Sequence, residues 1–321
     1  MQQLVTELLQ GNRRAAARLI SLVENDDPQK RELLKDLYPH TGNAYVIGVT
    51  GAPGSGKSSL VDWLLKLMRK DGLKVGVIAV DPTSPFSGGA ILGDRIRMQD
   101  HALDQDIFIR SMGTRGSLGG LSRATREAIQ VMDAFGKDIV LIETVGVGQS
   151  EIDIVRTADS TLVVLTPAGG DSVQTIKAGI MEIADVFAVN KSDLPGSDRT
   201  VTEVNMMLDM KKSKEWRPPV IPTVSLINEG IDQLWEALQE HRRYMEESGR
   251  LLDIRRERVG RELTEQVEYL VKSSIWNQVK EEIELESLVE KIVHRRQDPY
   301  SAAADLLDKI NFYGQEAEEG D

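Results

Sequence analysis

Residues Gly51-Ala52-Pro53-Gly54-Ser55-Gly56-Lys57-Ser58 fit the pattern G-x-x-x-x-G-K-[ST], and each fixed position has a chemical reason. The glycines let the backbone turn its N–H groups inward as a nest and approach phosphate oxygens at a helix N-terminus. Lys57 places a charge on β- and γ-phosphates, and the Ser58 hydroxyl is a natural inner-sphere ligand of a Mg²⁺ that bridges them. A glycine turn that only closes a strand-to-helix unit would use similar residues. The flanks favour the phosphate reading: Val46-Ile47-Gly48-Val49 is an apolar run, and Leu60, Leu64, Leu67 and Met68 follow at helical spacing. The candidate nucleotide contacts of this stretch are Gly51, Gly54, Ser55, Gly56, Lys57, Ser58 and Ser59.

Later stretches place polar groups directly after further short apolar runs. Asp81 and Asp94 lie in a long Pro- and Gly-rich segment, VDPTSPFSGGAILGDRIRM, of the kind expected for a switch loop. Asp81 could bind Mg²⁺ through water or orient the attacking water, and Asp94 could reach the ion on loop closure; alternatively Asp81 caps a turn and Asp94 starts a helix. Glu143, followed by Gly146, has the layout of a second switch, a carboxylate for Mg²⁺ and water and an N–H that senses the γ-phosphate. Aspartate is the usual acid there in Ras-type proteins, so Glu143 is a departure, and Gln149 is not assigned a water-positioning role. Asn190-Lys191-Ser192-Asp193 then supplies a carboxylate that can accept from both N1–H and the exocyclic amine of guanine, an arrangement adenine does not offer. In this order after a phosphate loop, the motif selects GTP, and a site built on such bonds rejects an analogue lacking them by on the order of 10⁴-fold. Ser225-Leu226 is a candidate further base contact.

The elements that must position these groups alternate. Val75–Val80, Ile107–Ile109, Ile139–Ile142, Thr161–Leu165, Val186–Val189 and Val220–Thr223 are short, apolar and largely β-branched, with helical patterns between them. The expected fold class is α/β, a phosphate-loop NTPase with a mostly parallel central sheet and helices on both faces, its ligands at the carboxyl ends of the strands. Residues 1–42 read as an N-terminal helical extension, 43–245 as the nucleotide domain, and 246–321 as a C-terminal helical arm with an acidic tail. The arm carries Leu251, Leu252, Val259, Leu263, Val267, Leu270, Val271, Ile275, Val279, Ile283, Leu288 and Ile292 on a recurring face, which needs a cover. That cover is either the main domain or a second copy of the chain.

Composition bounds the partners. In 321 residues, 39 Lys and Arg stand against 51 Asp and Glu, and the net charge of −12 argues against non-specific nucleic-acid binding. The absence of cysteine excludes disulfides, thiolate metal sites and cysteine nucleophiles. The N-terminus lacks a signal-peptide layout and no apolar run approaches the ~20 residues of a membrane helix, so a cytoplasmic protein without membrane contact is expected. His40, His101, His241 and His294 are scattered, against a transition-metal site.

The combination GAPGSGKSSL, VDPTSPFSGGAILGDRIRM, ETVGVGQSE and NKSD resembles the MeaB/ArgK family of G proteins, bacterial relatives of the methylmalonic aciduria type A protein, over nearly the whole chain. The resemblance implies a Mg²⁺-dependent GTPase, binding GTP and GDP. It would act as a chaperone for an adenosylcobalamin-dependent acyl-CoA mutase such as methylmalonyl-CoA mutase, gating cofactor loading and protecting the mutase. It implies roles for Lys57 and Ser58 on phosphate and Mg²⁺, for Asp81, Asp94 and Glu143 in the Mg²⁺ and water network, and a homodimer through the arm. It also implies a third switch over residues 166–177, in which Lys177 takes part and Ser172 stands where relatives often carry an acid. Slow turnover without a partner is expected from the lack of an obvious arginine finger. The rival expectations are an ATP-dependent kinase or transport-associated ATPase, and a nucleotide-regulated scaffold with no catalytic role.

Overall fold

In the computed structural model the apolar run before the phosphate loop is a strand, β1 (Tyr45–Gly51), buried along its whole length. The structure describes residues 2–81, 101, 103–113, 123–144, 157–167, 181–210, 215–282 and 285–308. The other expected strands follow as β2 (Val75–Asp81), β3 (Ile107–Gly113), β4 (Ile139–Glu143), β5 (Ser160–Leu165), β6 (Val186–Asn190) and β7 (Val220–Thr223). They form one seven-stranded sheet in the order β3-β2-β4-β1-β5-β6-β7. Every neighbouring pair is parallel, so the sheet is parallel throughout rather than mostly so. The near-continuous apolar sequences of β1, β4, β5 and β6 have a direct cause: both of their faces are covered and every residue is buried, whereas the edge strands β3 and β7 are only partly so.

Helices α1 (Gln2–Leu9), α2 (Arg13–Glu24) and α3 (Lys30–Leu37) form the N-terminal extension, with Asn12 capping α2 by accepting from the Arg14 and Ala15 amides. Together with α5 (Arg123–Ala134) they bury Leu8, Leu19, Ile20, Leu33 and Leu37 in one cluster with Val46, Ile78 and Val140 of the sheet. The extension is therefore part of the core on that face. Lys30, 7% exposed, seals the junction by donating to both Glu127 carboxylate oxygens at 2.8 and 3.2 Å. On the opposite face α4 (Lys57–Lys70) and α7 (Ile231–Glu247) pack Leu60, Leu64, Leu234 and Leu238 against Ile47, Val49, Leu141 and Leu162. Helix α6 (Ser197–Met210) covers β5 and β6 through Val204 and Leu208.

The chain resolves into two compact units, residues 1–254 and 255–321. Helix α8 (Arg250–Glu282) crosses from one to the other, followed by α9 (Leu285–Val293) and α10 (Pro299–Asp308). Pro299 thus opens the last helix, where its missing N–H and fixed φ cost nothing. In the first unit Leu251 packs against the α4 face of the core. Within the second unit Val259, Leu263, Val267, Leu270 and Val271 of α8 are exposed.

One buried polar chain fastens α7 to the amino end of the sheet. His241 Nδ1 and the Tyr45 hydroxyl both lie 2.6 Å from Ser160 Oγ, and His241 Nε2 is 3.4 Å from an Asp185 oxygen. Burial pushes the imidazole down to about 4. Burial pushes the Asp185 carboxyl up to about 7, against the Thr161 N–H bond and the charge of Arg250. The two act oppositely on stability. Asp185, raised in the fold, contributes stability that is complete below its unfolded value near 3.8 and is lost as pH rises through 7; His241, lowered in the fold, contributes stability present above 6.5 and lost as pH falls toward 4. Asp185→Asn keeps an acceptor for Thr161 and removes the first dependence. Its melting temperature is expected to exceed the wild type's by a margin that grows from pH 5 to pH 7 and then levels off, in thermal unfolding followed by circular dichroism. Because a third of the Asp185 side chain is exposed, the margin is a few degrees.

Candidate nucleotide site

The sheet order reverses at β1, which lies between β4 and β5. Loops leaving the two sides of such a strand diverge and open a crevice at its carboxyl end. Because all strands are parallel, Gly51, Asp81, Glu143, Asn190 and Thr223 come to the same edge. Register sets their spacing: Glu143 pairs with Val49 of β1 and with Ala79 of β2, two residues before Asp81, and Asn190 pairs with Thr223.

The loop between β1 and α4 is shaped by two close approaches. Gly51 has φ +146°, and a Cβ there would sit 2.1 Å from the Val164 carbonyl oxygen of β5. Gly56, the N-cap of α4, has φ +89°, and its Cβ would lie 2.2 Å from Asn190 Nδ2. Neither position admits a side chain without moving backbone or a buried amide. Gly51→Ala is accordingly expected to destabilise the protein by about 2 kcal/mol or more, a fall of roughly 5 °C or more in melting temperature. An unchanged melting curve would contradict this strand-to-strand contact.

Lys57 opens α4, is 7% exposed, and donates from Nζ to the carbonyls of Gly51 at 2.9 Å and Ala52 at 3.0 Å. The ammonium is thus held across the mouth of the loop. Next to it the Ser58 hydroxyl donates to Glu143 Oε1 at 2.6 Å, and Glu143 is 5% exposed at the end of β4. With its proton given to the carboxylate, the Ser58 oxygen keeps its lone pairs for a cation. Hard oxygen donors and an ammonium gathered at a helix N-terminus suit a Mg²⁺-nucleotide, so the residues fit that group.

Asn190 ties the phosphate loop to the loop after β7. Fully buried, it donates from Nδ2 to the Ser55 carbonyl at 2.8 Å and to Ser225 Oγ at 3.2 Å, while its Oδ1 accepts from the Ser225 amide at 3.1 Å. Lys191, at φ +59°, donates to the Gly54 carbonyl at 2.8 Å. The Asp193 carboxylate is exposed beyond them. Ser225 spends its hydroxyl and amide on Asn190, whereas Leu226 is 85% exposed.

Of the residues singled out from the sequence, the structure gathers Gly51, Gly54, Ser55, Gly56, Lys57, Ser58, Ser59, Glu143, Asn190, Lys191, Asp193, Ser225 and Leu226 at this edge, with Asp81 there as the last residue of β2. Asp94, Gly146 and Lys177 lie outside the described residues. Three contacts were not legible beforehand. Thr144 Oγ1 donates to Thr50 Oγ1 at 3.1 Å behind the phosphate loop, Asp62 of α4 meets His101 Nε2 at 2.9 Å, and the Trp63 indole donates to the Ser225 carbonyl at 2.7 Å. Nothing local marks any of them, because each partner lies far away in the chain.

Known proteins with the same pattern supply the family. The family described as methylmalonyl Co-A mutase-associated GTPase MeaB matches residues 16–281. A protein of Pyrococcus abyssi, provisionally named a GTPase, is 52% identical over 314 residues, covering 97% of each chain. The GTPase ArgK of Escherichia coli is 39% identical over 275 residues, 82% of each chain. A crystal structure described as an LAO/AO transport system kinase superposes with a TM-score of 0.71 at 29% identity, covering 96% of both chains.

Proposed function

Because this chain belongs to the MeaB family of methylmalonyl-CoA mutase-associated GTPases, we propose that it hydrolyses GTP to serve an adenosylcobalamin-dependent acyl-CoA mutase as a G-protein chaperone, gating cofactor loading and protecting the mutase. GTP hydrolysis is the activity its named relatives carry. The observation that carries the nucleotide reading is the junction at Asn190, where one buried amide joins the phosphate loop to the loop after β7.

In this reading the phosphate loop binds the β- and γ-phosphates through its amides, and Lys57 takes up charge that develops on the transferred group. Ser58, with Asp81, Asp94 and Glu143, would hold Mg²⁺, which when bound supplies positive charge shared between the two phosphates. Glu143 fixes the Ser58 hydroxyl, Asp81 orients water, and the Gly146 amide senses the γ-phosphate. Asp193 accepts from the guanine N1–H and amine, with Asn190, Lys191, Ser225 and Leu226 around the base. Lys177 belongs to the segment that couples hydrolysis to the partner. Without that partner turnover is slow.

Residues 1–42 form the helical extension, 43–245 the G domain and 246–321 the arm. The exposed apolar residues of α8 supply a surface for a second copy of the chain, giving a homodimer in the cytoplasm. Among the described residues no helix is long and apolar enough to cross a membrane.

The test is phosphate release from GTP by the purified protein, with and without the methylmalonyl-CoA mutase of the same organism, and with ATP in parallel. A GTP-specific rate that rises strongly with the mutase is expected. Indifference to this mutase would remove it as the partner and direct the same assay to other acyl-CoA mutases, and hydrolysis of ATP at the same rate would favour the kinase or transport ATPase alternative.

A further inference from the structure

We propose that Trp63 is a positioning residue for guanine recognition, its indole holding the Ser225–Leu226 loop in the pose that meets the base. This rests on the guanine-site reading above and extends it to a residue outside the nucleotide motifs.

The geometry is specific. Trp63 lies on α4, partly buried against the core below it, and its Nε1–H donates to the Ser225 carbonyl at 2.7 Å. Lys66 covers the ring with its ammonium 4.5 Å from the centroid. The same helix carries Lys57 at its first residue, so one rigid element presents the phosphate loop and anchors the base-side loop about 9 Å further along its axis. That separation is on the scale of a nucleotide.

Among the described residues the loop is otherwise tied at two places. Val224 and Glu229 exchange backbone bonds of 2.9 and 3.3 Å, and the Ile227 amide donates to Val224 at 3.2 Å. Asn190 takes the Ser225 amide and hydroxyl. Those bonds leave the Ser225 carbonyl to Trp63 and leave the Leu226 amide unused by any of them. Trp63 is therefore the tie that sets the rotation of the peptide plane between Ser225 and Leu226, whose N–H end would face the base. Removing the indole donor frees that plane while the phosphate loop and its lysine stay in place.

The experiment compares the wild-type chain with Trp63→Phe and Trp63→Gln. Phenylalanine keeps an aromatic ring but has no donor; glutamine lacks the ring but carries an N–H the same number of bonds from Cα as the indole nitrogen. For W63F, GDP affinity and the KM for GTP are expected to worsen about fivefold, the factor given by one net hydrogen bond of roughly 1 kcal/mol, with kcat within twofold of wild type. W63Q is expected to recover part of that loss. Inosine diphosphate, which keeps the 6-oxo group and lacks the 2-amino group, should weaken by the same factor as GDP in W63F, since the loop and Asp193 act on different parts of the base. A W63F protein that binds GDP as wild type does, or a W63Q protein that binds it more weakly than W63F, overturns the assignment, the latter by showing that ring packing is what matters. Asp193→Asn, measured alongside, tests the guanine site separately: loss of the GDP-over-IDP preference there with no effect in W63F leaves the site standing and removes only the role of Trp63.

Discussion

Lys57→Ala is expected to lower kcat for GTP hydrolysis by a factor of about a thousand, with the protein still folded. The size of the effect follows from where the ammonium sits. At 7% exposure, and held by the Gly51 and Ala52 carbonyls, it is a charge that needs no reorganisation when the phosphoryl group begins to move. In a partly dry site such a charge acts at low effective dielectric, and its loss falls on the transition state more than on the bound nucleotide. Arginine would not substitute. Its planar fork is wider than an ammonium and cannot be seated between two carbonyls 2.9 and 3.0 Å from one nitrogen. Phosphate release measured at saturating GTP, with a melting curve for each variant, checks both statements; a loss of less than tenfold in the folded variant would mean that Lys57 does not carry the transferring charge.

Asp193→Asn is expected to change the base that is accepted. GTP should bind roughly a hundredfold more weakly or worse, and xanthosine triphosphate, with an oxygen where guanine has its amine, should become the better ligand. In the proposed site the carboxylate would accept from two guanine donors at once, and an amide would offer one of them a donor in return, leaving a polar group unpaired in each direction. The substitution is a clean one because Asp193 is exposed and the framework of the loop is held by its neighbours: Asn190 by its bonds to Ser55 and Ser225, Ser192 through its amide and hydroxyl on the Thr223 carbonyl at 3.0 Å. The fold should be untouched and the melting temperature unchanged. Competition of GTP, xanthosine triphosphate and ATP for the site reads the result directly. Unaltered preference would remove Asp193 from base recognition.

The two substitutions differ in how much of their setting could be read beforehand. The pattern around Lys57 and the motif at Asn190–Asp193 are short and contiguous, so their chemistry is written in neighbouring residue types. The strands are equally local. A run such as Ile139–Ile142, short, apolar on both sides of the pleat and rich in β-branched residues, reads as a strand buried on two faces, and a series of such runs separated by helical patterns leaves a covered parallel sheet as the consistent arrangement. Sequence alone therefore determined the fold class, the GTPase family and which motif residues the parallel strands carry to one edge of the sheet.

What the tertiary structure decided are the contacts between residues that no spacing relates. Ser58 and Glu143 are 85 positions apart, Asn190 and Ser55 are 135 apart, and Trp63 and Ser225 are 162 apart. Each contact depends on strand order, which places β4 and β5 on either side of β1, and on register, which sets Glu143 level with Val49. The N-terminal extension gives the same lesson. Its helical periodicity is visible, but its place on α5, with Lys30 sealed against Glu127, is fixed only when the apolar faces of four helices have found one sheet. Periodicity and turn chemistry act over a few residues and are set by covalent geometry, whereas partners such as these are chosen by burial, when the whole chain must remove its apolar surface from water and pair every polar group it takes inside.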